Sequence, residues 1–202
     1  MDILGIIFDL GRVLIKVDTQ NQLIQSITKQ ANITSDEAMQ KLVENDIFKQ
    51  YNKGLLTPNE FHKLLQKEIN AEIAYHEFKK IWCSIFSVQD GIETIANTLK
   101  QKFKIAILSD TDPLHWEYIT TNFPWIKNLG PAWLSYERGI MKPDANSFKG
   151  TASLIHLQPE QCLFIDDLQQ NVDGAKSIGM HAILFKNVQQ LKEELIQLGI
   201  LK

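Results

Sequence analysis

The sequence predicts an α/β fold: a Rossmann-like core built on a parallel sheet, with an inserted all-helical cap. Short, nearly uninterrupted apolar runs occur at 3–8, 104–108, 162–165 and 181–185, as in strands that are buried on both faces of a parallel sheet. Helical spacing separates these runs, which indicates right-handed β-α-β units. The rhythm is broken between 19 and 89, where we find helical spacing and no convincing strand.

The core elements follow one another along the chain. The run at 3–8 predicts the first strand, and the triplet at 132–134 indicates a further, weaker strand. Helices are predicted between the strands, where apolar residues recur at i, i+3, i+4 and i+7. These residues are Ile92, Ile95, Ala96 and Leu99; Leu114, Tyr118, Ile119 and Phe123; Phe148, Ala152 and Ile155; and Val172, Ala175 and Ile178. Gly179 suits a helix end, and 188–198 predicts a terminal amphipathic helix.

The inserted stretch predicts consecutive amphipathic helices. Ser35 and the pair Thr57-Pro58 are typical of helix starts, the second with a cap, a proline at the first helical position and an acid at the third. Four apolar faces are formed by Leu23, Ile24 and Ile27; by Leu42, Val43 and Ile47; by Phe61, Leu64, Leu65 and Ile69; and by Phe78, Ile81, Trp82 and Ile85. We therefore expect a core made of 1–18 and 90–202 and a helical cap over 19–89.

Composition excludes several functional classes. The net charge is −3 and no basic block is present, which argues against nucleic acid or an anionic membrane as a partner. No apolar run approaches the roughly 20 residues that a membrane-spanning helix needs. Cys83 and Cys162 lie far apart in apolar segments and are expected to be free thiols. The acidic Asp2 near the start is unlike a signal peptide, so we expect a cytoplasmic protein.

Two motifs place reactive groups at predicted strand ends. Asp9 directly follows the first strand, and ligands of open parallel sheets bind at that edge. A carboxylate there can attack phosphorus or hold a cation, and Gly11 lets the backbone approach a ligand; a solvated turn is the alternative. Ser109 ends the second core strand, where its hydroxyl can hold a phosphate oxygen or cap the next helix, or do both.

Two further motifs supply charge. Lys142 precedes Pro143, which biases it to extended backbone, and its ammonium can neutralise a phosphoryl group; a surface lysine is the alternative. The adjacent acids Asp166 and Asp167 follow a buried apolar run, where a bound cation would relieve their repulsion and desolvation. Mg²⁺ suits two carboxylates and a phosphate, whereas an exposed acidic turn is the alternative.

Taken in this order, the four motifs resemble those of the haloacid dehalogenase-like (HAD) hydrolase superfamily. The resemblance is to subfamily I, with its helical C1 cap, and to glucose-1-phosphate phosphatase-like members that carry Asp-Leu-Gly in the first motif. It covers nearly the whole chain, and the turn Tyr51-Asn52-Lys53-Gly54 resembles part of that cap.

The resemblance implies a chemistry. Asp9, Ser109 and Lys142 would be catalytic, with Asp9 forming an aspartyl-phosphate. Mg²⁺ would be held by Asp9, the Gly11 carbonyl and Asp167, with Asp166 acting through water. Ser109, Asp110, Lys142 and Gly11 would bind the phosphate of a small phosphorylated metabolite, in a monomer or homodimer. Phe48, Tyr51, Phe86 and Trp116 are candidate substrate contacts, or else core residues.

The chain departs from the pattern at two positions. Phosphatases of the superfamily usually carry a second Asp where this chain has Gly11, and that Asp serves as general acid and base. Asp18, Asp110, Asp112 and His115 are candidate substitutes. Asp110 stands where many relatives have Asn. The expected activity is Mg²⁺-dependent hydrolysis of a small phosphate monoester, sugar phosphates among them; the alternatives are a catalytically weak phosphometabolite-binding protein, a 2-haloacid dehalogenase and a phosphomutase.

Overall fold

The strands and their order confirm the predicted α/β core. A computed structural model of the chain describes residues 2–42 and 45–202, so the predicted apolar residue Val43 lies outside the described residues. In chain order the strands are β1 (Gly5–Phe8), β2 (Ile15–Val17), β3 (Phe86–Val88), β4 (Lys104–Ser109), β5 (Ala132–Leu134), β6 (Cys162–Asp166) and β7 (His181–Leu184). Five of them form a parallel sheet in the order β5-β4-β1-β6-β7.

The central strand β1 is buried on both faces, as its unbroken apolar sequence predicts. Ile6 and Phe8 belong to one buried cluster, while Ile7 belongs to the cluster on the opposite face. The helices of the core that cover these faces are α6 (Ile92–Lys100), α7 (Pro113–Asn122), α8 (Pro124–Lys127), α9 (Ser135–Arg138), α10 (Ala145–Leu154), α11 (Gln169–Ser177) and α12 (Val188–Gln197), with a 3₁₀ turn at Pro159–Gln161. The predicted helix end at Gly179 is confirmed by its left-handed φ of 85°.

A second buried cluster is formed by the inserted segment together with Leu114 of the core, and the described part of that segment is mostly helical, as predicted. After a π-helical turn at Thr19–Ile24 come α1 (Gln25–Ala31), α2 (Ser35–Leu42), α3 (Asp46–Asn52), α4 (Pro58–Ile69) and α5 (Tyr75–Cys83). Their apolar faces meet in a core that contains Phe61, Phe78 and Trp82. Helix α4 begins as predicted, because Thr57 and Glu60 form a reciprocal capping box and Pro58 is the first helical residue.

Two details of the insertion differ from the prediction. The expectation of no strand between 19 and 89 is wrong, because β3 pairs antiparallel with β2 and opposes Ile15 to Val88 and Val17 to Phe86. Strands of three residues are too short to show a period of two. Helix α2 starts at Ser35, but Thr34 caps it, since its hydroxyl accepts the Glu37 amide and the Glu37 carboxylate accepts the Thr34 amide.

Two further expectations concern the cysteines and membrane-spanning helices. Both Cys83 and Cys162 are buried free thiols, as predicted. Across the described residues, no helix combines the length and apolarity that a membrane span requires.

Candidate active site

The sheet register brings three motif residues to one edge. Strand β1 lies between β4 and β6, with Phe8 beside both Ile107 and Ile165. Asp9 therefore follows β1 next to Asp166, the last residue of β6, and Ser109 ends the strand on the other side. Asp9 and Ser109 are buried, and Asp166 has no exposed surface. The carboxyl ends of the three central strands thus form the floor of the site.

Lys142 joins the two buried carboxylates. Its Nζ lies 2.6 Å from Oδ1 of Asp9 and 2.8 Å from Oδ2 of Asp166, and its side chain is 4% exposed. It comes from the loop between α9 and α10, where the Lys142–Pro143 peptide bond is cis. Helix α11 can approach this loop because Gly174 has no side chain; a Cβ there would lie 2.9 Å from Cβ of Pro143. The structure thus places the Lys142 ammonium against the carboxylates of Asp9 and Asp166.

Asp166 uses its acceptor positions within the protein. Its Oδ1 accepts from the Leu168 amide at 2.8 Å and from Nδ2 of Asn171 at 3.0 Å. Its Oδ2 accepts from the same Nδ2 at 3.1 Å and from Lys142 at 2.8 Å. These contacts come from three donors, because Nδ2 of Asn171 meets both oxygens. A carboxylate has about four lone-pair sites, so Asp166 is largely engaged and keeps room for one water. The geometry suits a residue that orients Lys142 and Asn171.

Electrostatics make the site receptive to positive charge. Burial raises the pKa of the Asp9 carboxyl above its ordinary value, against the opposing pull of Lys142. Burial also raises the pKa values of Asp110 and Asp167. For Lys142, burial works to lower the pKa, but the charges of Asp9, Asp166 and Asp110 outweigh it and raise that pKa. Lys142 therefore stays charged among carboxyl groups that are costly to ionise.

The donor set fits a hard divalent cation. Asp9, Asp166 and Asp167 each offer a carboxylate oxygen, and these oxygens lie within 4.8 Å of one another. Oδ1 of the buried Asn171 has no hydrogen-bond partner among the residues that the structure describes, so it can accept from a water that a metal carries. Oxygen-only ligands with retained water are what Mg²⁺ prefers. Since Asp166 is engaged, Asp9 and Asp167 are the carboxylates best placed for direct contact.

A cavity of about 280 Å³ opens above these groups, between the core and the inserted helices. Gly11, Ser109, Asp110 and Lys142 all line it, as the sequence predicts for phosphate contacts. The inserted segment contributes an apolar wall that includes Phe48, Ile85 and Phe86.

Comparison with known proteins assigns the family. A family model described as haloacid dehalogenase-like hydrolase matches residues 3–179, which is most of the chain. The chain belongs to the haloacid dehalogenase-like hydrolase family. The predicted superfamily is therefore confirmed, with its fold.

Relatives of this HAD-like hydrolase include two named phosphatases. A D-ribitol-5-phosphate phosphatase of Bacteroides thetaiotaomicron is 26% identical over 95% of this chain and 96% of its own. A glyceraldehyde 3-phosphate phosphatase of Pyrococcus furiosus is 26% identical over 90% of this chain and 80% of its own. A crystal structure of a HAD family enzyme from Bacteroides thetaiotaomicron, in complex with magnesium and inorganic phosphate, superposes with a TM-score of 0.82 at 27% identity and covers 92% of this chain and 96% of its own.

The candidate substitutes for the missing acid occupy different places in this HAD-like hydrolase. Asp110 lines the cavity, and its Oδ1 accepts the Lys142 amide at 3.1 Å. Asp112 is fully buried and caps α7, while its Oδ2 meets Nδ1 of His115 at 2.8 Å. Nε2 of His115 faces the Trp82 carbonyl at 3.0 Å, so both ring nitrogens are engaged. Asp18 lines a neighbouring surface depression rather than the cavity.

Among the predicted aromatic contacts, Phe48 and Phe86 line the cavity of the HAD-like hydrolase. Tyr51 is buried among the inserted helices, and Trp116 packs against the cluster that contains Ile6 and Phe8. Arg12, Thr111 and Asn171 also line the cavity, and no role was predicted for any of them from the sequence. Their signal in the sequence is position: each lies within five residues after a motif that ends a strand.

Proposed function

We propose that this protein hydrolyses a small phosphate monoester through an aspartyl-phosphate on Asp9, with Mg²⁺ held by Asp9, Asp167 and the Gly11 carbonyl and with Asp166 acting through water. The observation that carries the proposal is the placement of the Lys142 ammonium within 2.6 Å of Asp9 and 2.8 Å of Asp166, beside Asp167. The chain is a phosphatase of the HAD-like family, in line with its named relatives, and Mg²⁺ is its cofactor, as in related crystal structures.

The proposed reaction proceeds by two displacements at phosphorus. An oxygen of Asp9 forms a bond to phosphorus while the bond to the alcohol oxygen breaks, and the departing alkoxide takes a proton from water. A second water then attacks the phosphorus and gives up a proton that neutralises the hydroxide left by the first step, which releases inorganic phosphate and restores the Asp9 carboxylate. Lys142 and the Ser109 hydroxyl hold the phosphoryl oxygens throughout. When bound, Mg²⁺ supplies charge neutralisation for the phosphoryl group.

Gly11 favours one alternative, a weakly catalytic protein that binds phosphometabolites. The side chain that would protonate the leaving alcohol is absent, and general acid–base help is worth about 10²–10⁴-fold in rate. A substrate with a good leaving group should be least affected by that loss.

Hydrolysis of p-nitrophenyl phosphate tests the proposal, since p-nitrophenolate departs without protonation. We expect turnover with Mg²⁺, loss of turnover in EDTA, and a decrease of at least about 10³-fold in Asp9→Asn. Asp173→Asn, the same change at an exposed residue of α11, should match the wild type. Phosphate binding without turnover would support the binding protein instead, and turnover that survives Asp9→Asn would refute the assignment of the nucleophile.

The substrate belongs to the small phosphorylated metabolites in this proposal. Two named relatives act on a pentitol phosphate and a triose phosphate, and a cavity of about 280 Å³ is of a size for such esters. Cytoplasmic location and a monomeric or homodimeric state belong to the same proposal.

A further inference from the structure

We propose that Arg12 is a specificity-determining residue that selects phosphate monoesters carrying a second anionic group, a carboxylate or another phosphate. The inference rests on the proposed function, because it concerns the part of the substrate that lies beyond the transferred phosphate. Its basis is the placement of two cations at different depths in one cavity.

The two cations differ in exposure. Lys142 and Arg12 both line the cavity. The Lys142 side chain is 4% exposed and is held between Asp9 and Asp166. The Arg12 side chain is 57% exposed, at the entrance. A phosphate bound at the floor beside Lys142 would leave the distal end of a short substrate near Arg12.

The backbone fixes where Arg12 begins. Its φ of 61° is left-handed, which is unusual for a long side chain and more often adopted by Asn or Gly. The Arg12 amide donates to the Ile15 carbonyl at 2.7 Å, and the Ile15 amide donates to Leu10 at 3.1 Å. This closed turn carries the arginine side chain to the cavity wall.

The guanidinium has donors left for a ligand. Its ion pair with Asp167 spans 3.8 Å between Nη1 and Oδ2, which is too long for a hydrogen bond. Asp167 is also a proposed metal ligand. A bound metal ion would compete with the Arg12 guanidinium for the negative charge of the Asp167 carboxylate. A guanidinium carries five N–H donors, so most of them remain available.

The residue next to Arg12, Gly11, favours the binding of an anionic group of the substrate. Gly11 brings no carboxylate to this wall, and a Cβ there would contact only Cγ2 of Val17, at 3.4 Å, within the described residues. Arginine binds carboxylates and phosphates through two parallel hydrogen bonds. A second anion on the substrate is therefore the natural partner of Arg12.

Matched substrates test the inference. 3-Phosphoglycerate and glycerol 3-phosphate have the same carbon chain and differ in the distal carboxylate. We expect kcat/KM to be higher for the acid in the wild type, and the ratio of the two values to fall about tenfold in Arg12→Asn. Asparagine accepts left-handed backbone, so folding should not be impaired. Arg12→Lys, which keeps the charge without the planar fork, should give an intermediate ratio.

A control and a binding measurement separate the possible failures. Lys16→Gln removes a cation from the adjacent β2, paired with Asp90 at 3.2 Å and outside the cavity, and should leave the ratio unchanged. If nothing is turned over, the proposed function fails, and calorimetric binding of the same two ligands with Mg²⁺ still tests Arg12. An equal response to both ligands, or a ratio that Arg12→Asn does not change, would overturn the inference.

Discussion

At the scale of single residues, the absence of a side chain at Gly11 bears on how the leaving group departs in the proposed reaction. Its backbone is not left-handed, and the space where a Cβ would stand is bounded by Cγ2 of Val17 at 3.4 Å. A Cβ therefore fits at this position without backbone strain. In Gly11→Asp we expect kcat for alkyl phosphates to rise by up to about 10²-fold, because the alkoxide gains a proton donor.

The comparison of leaving groups gives this prediction its control. Hydrolysis of p-nitrophenyl phosphate should change far less in the same variant, since p-nitrophenolate needs no proton. Gly11→Asn, which has nearly the same size and no acidic proton, should not reproduce the gain. A correctly folded Gly11→Asp enzyme with unchanged or lower turnover of glycerol 3-phosphate would contradict the prediction.

Asp110 presents a second question of charge. Its Oδ1 accepts the Lys142 amide at 3.1 Å, and an asparagine oxygen can keep that bond while the negative charge beside the phosphate is lost. We expect Asp110→Asn to lower KM for a phosphorylated substrate severalfold, as steady-state kinetics would measure. Asp110→Ala, which also removes the acceptor, should lower kcat by loosening the Lys142 loop. A higher KM in Asp110→Asn would show that the carboxylate is needed.

How much of the site could be predicted depends on how each residue reaches it. Asp9 and Asp166 end neighbouring buried strands, so local pattern and parallel topology together bring them to one edge. Lys142 reaches them from a loop, and its 2.6 Å contact with Asp9 depends on the packing of Pro143 against Gly174. Arg12 could not be anticipated, because only the turn closed by Ile15 shows where its side chain begins.

At the scale of elements, the length of each strand or helix decided whether the sequence could predict it. The apolar runs of β1, β4 and β6 predict strands, and the structure has strands there. The start of α4 is predicted by the capping residues Thr57 and Glu60. β2 and β3 each have three residues, and their pairing depends on contact across the whole insertion. A strand of three residues is too short to show an alternation of apolar and polar residues, so its long-range pairing cannot be predicted from the sequence.

Two elements are joined by a buried hydrogen-bond network. Asp112, at the start of α7, accepts from Nε1 of Trp82 in α5 at 3.1 Å, and Trp82 stacks on His115 with ring centroids 5.0 Å apart. His115 lines the cavity, and its ring centroid lies 4.7 Å from that of Phe86. This network connects the packing of the inserted helices to the cavity wall.

Replacing Trp82 by phenylalanine removes the donor and keeps a ring. We expect Trp82→Phe to lower the free energy of unfolding by about 1–3 kcal/mol, because Asp112 loses a partner in a fully buried position, and to raise KM as His115 shifts. Chemical denaturation and steady-state kinetics measure the two effects. Trp125→Phe, the same change in α8 away from the cavity, should leave KM unaltered. An unchanged KM in Trp82→Phe would mean that the network does not position the wall.

At the scale of the whole molecule, the buried carboxyl groups make stability depend on pH. Burial raises the folded-state pKa values of Asp9, Asp110 and Asp167 above their ordinary values. A group whose pKa is raised in the folded state binds its proton more tightly there, so its stabilising contribution is complete below the unfolded pKa and is lost as pH rises through the folded one. The raised pKa of Lys142 acts in the same direction but only at strongly alkaline pH.

The metal-free protein should therefore become less stable as the pH rises from the ordinary pKa of 3.8 through the raised pKa of Asp9, about 7. Thermal unfolding in EDTA would show this as a falling Tm, with a shallower slope in Asp9→Asn because one of the titrating groups is gone. Added Mg²⁺ should oppose the trend, since it binds the ionised carboxylates and stabilises the fold more as they lose protons. A Tm in EDTA that rises over this interval would contradict the prediction. It would mean that the charge of Lys142 outweighs burial and lowers the pKa values of the carboxyl groups in the folded state.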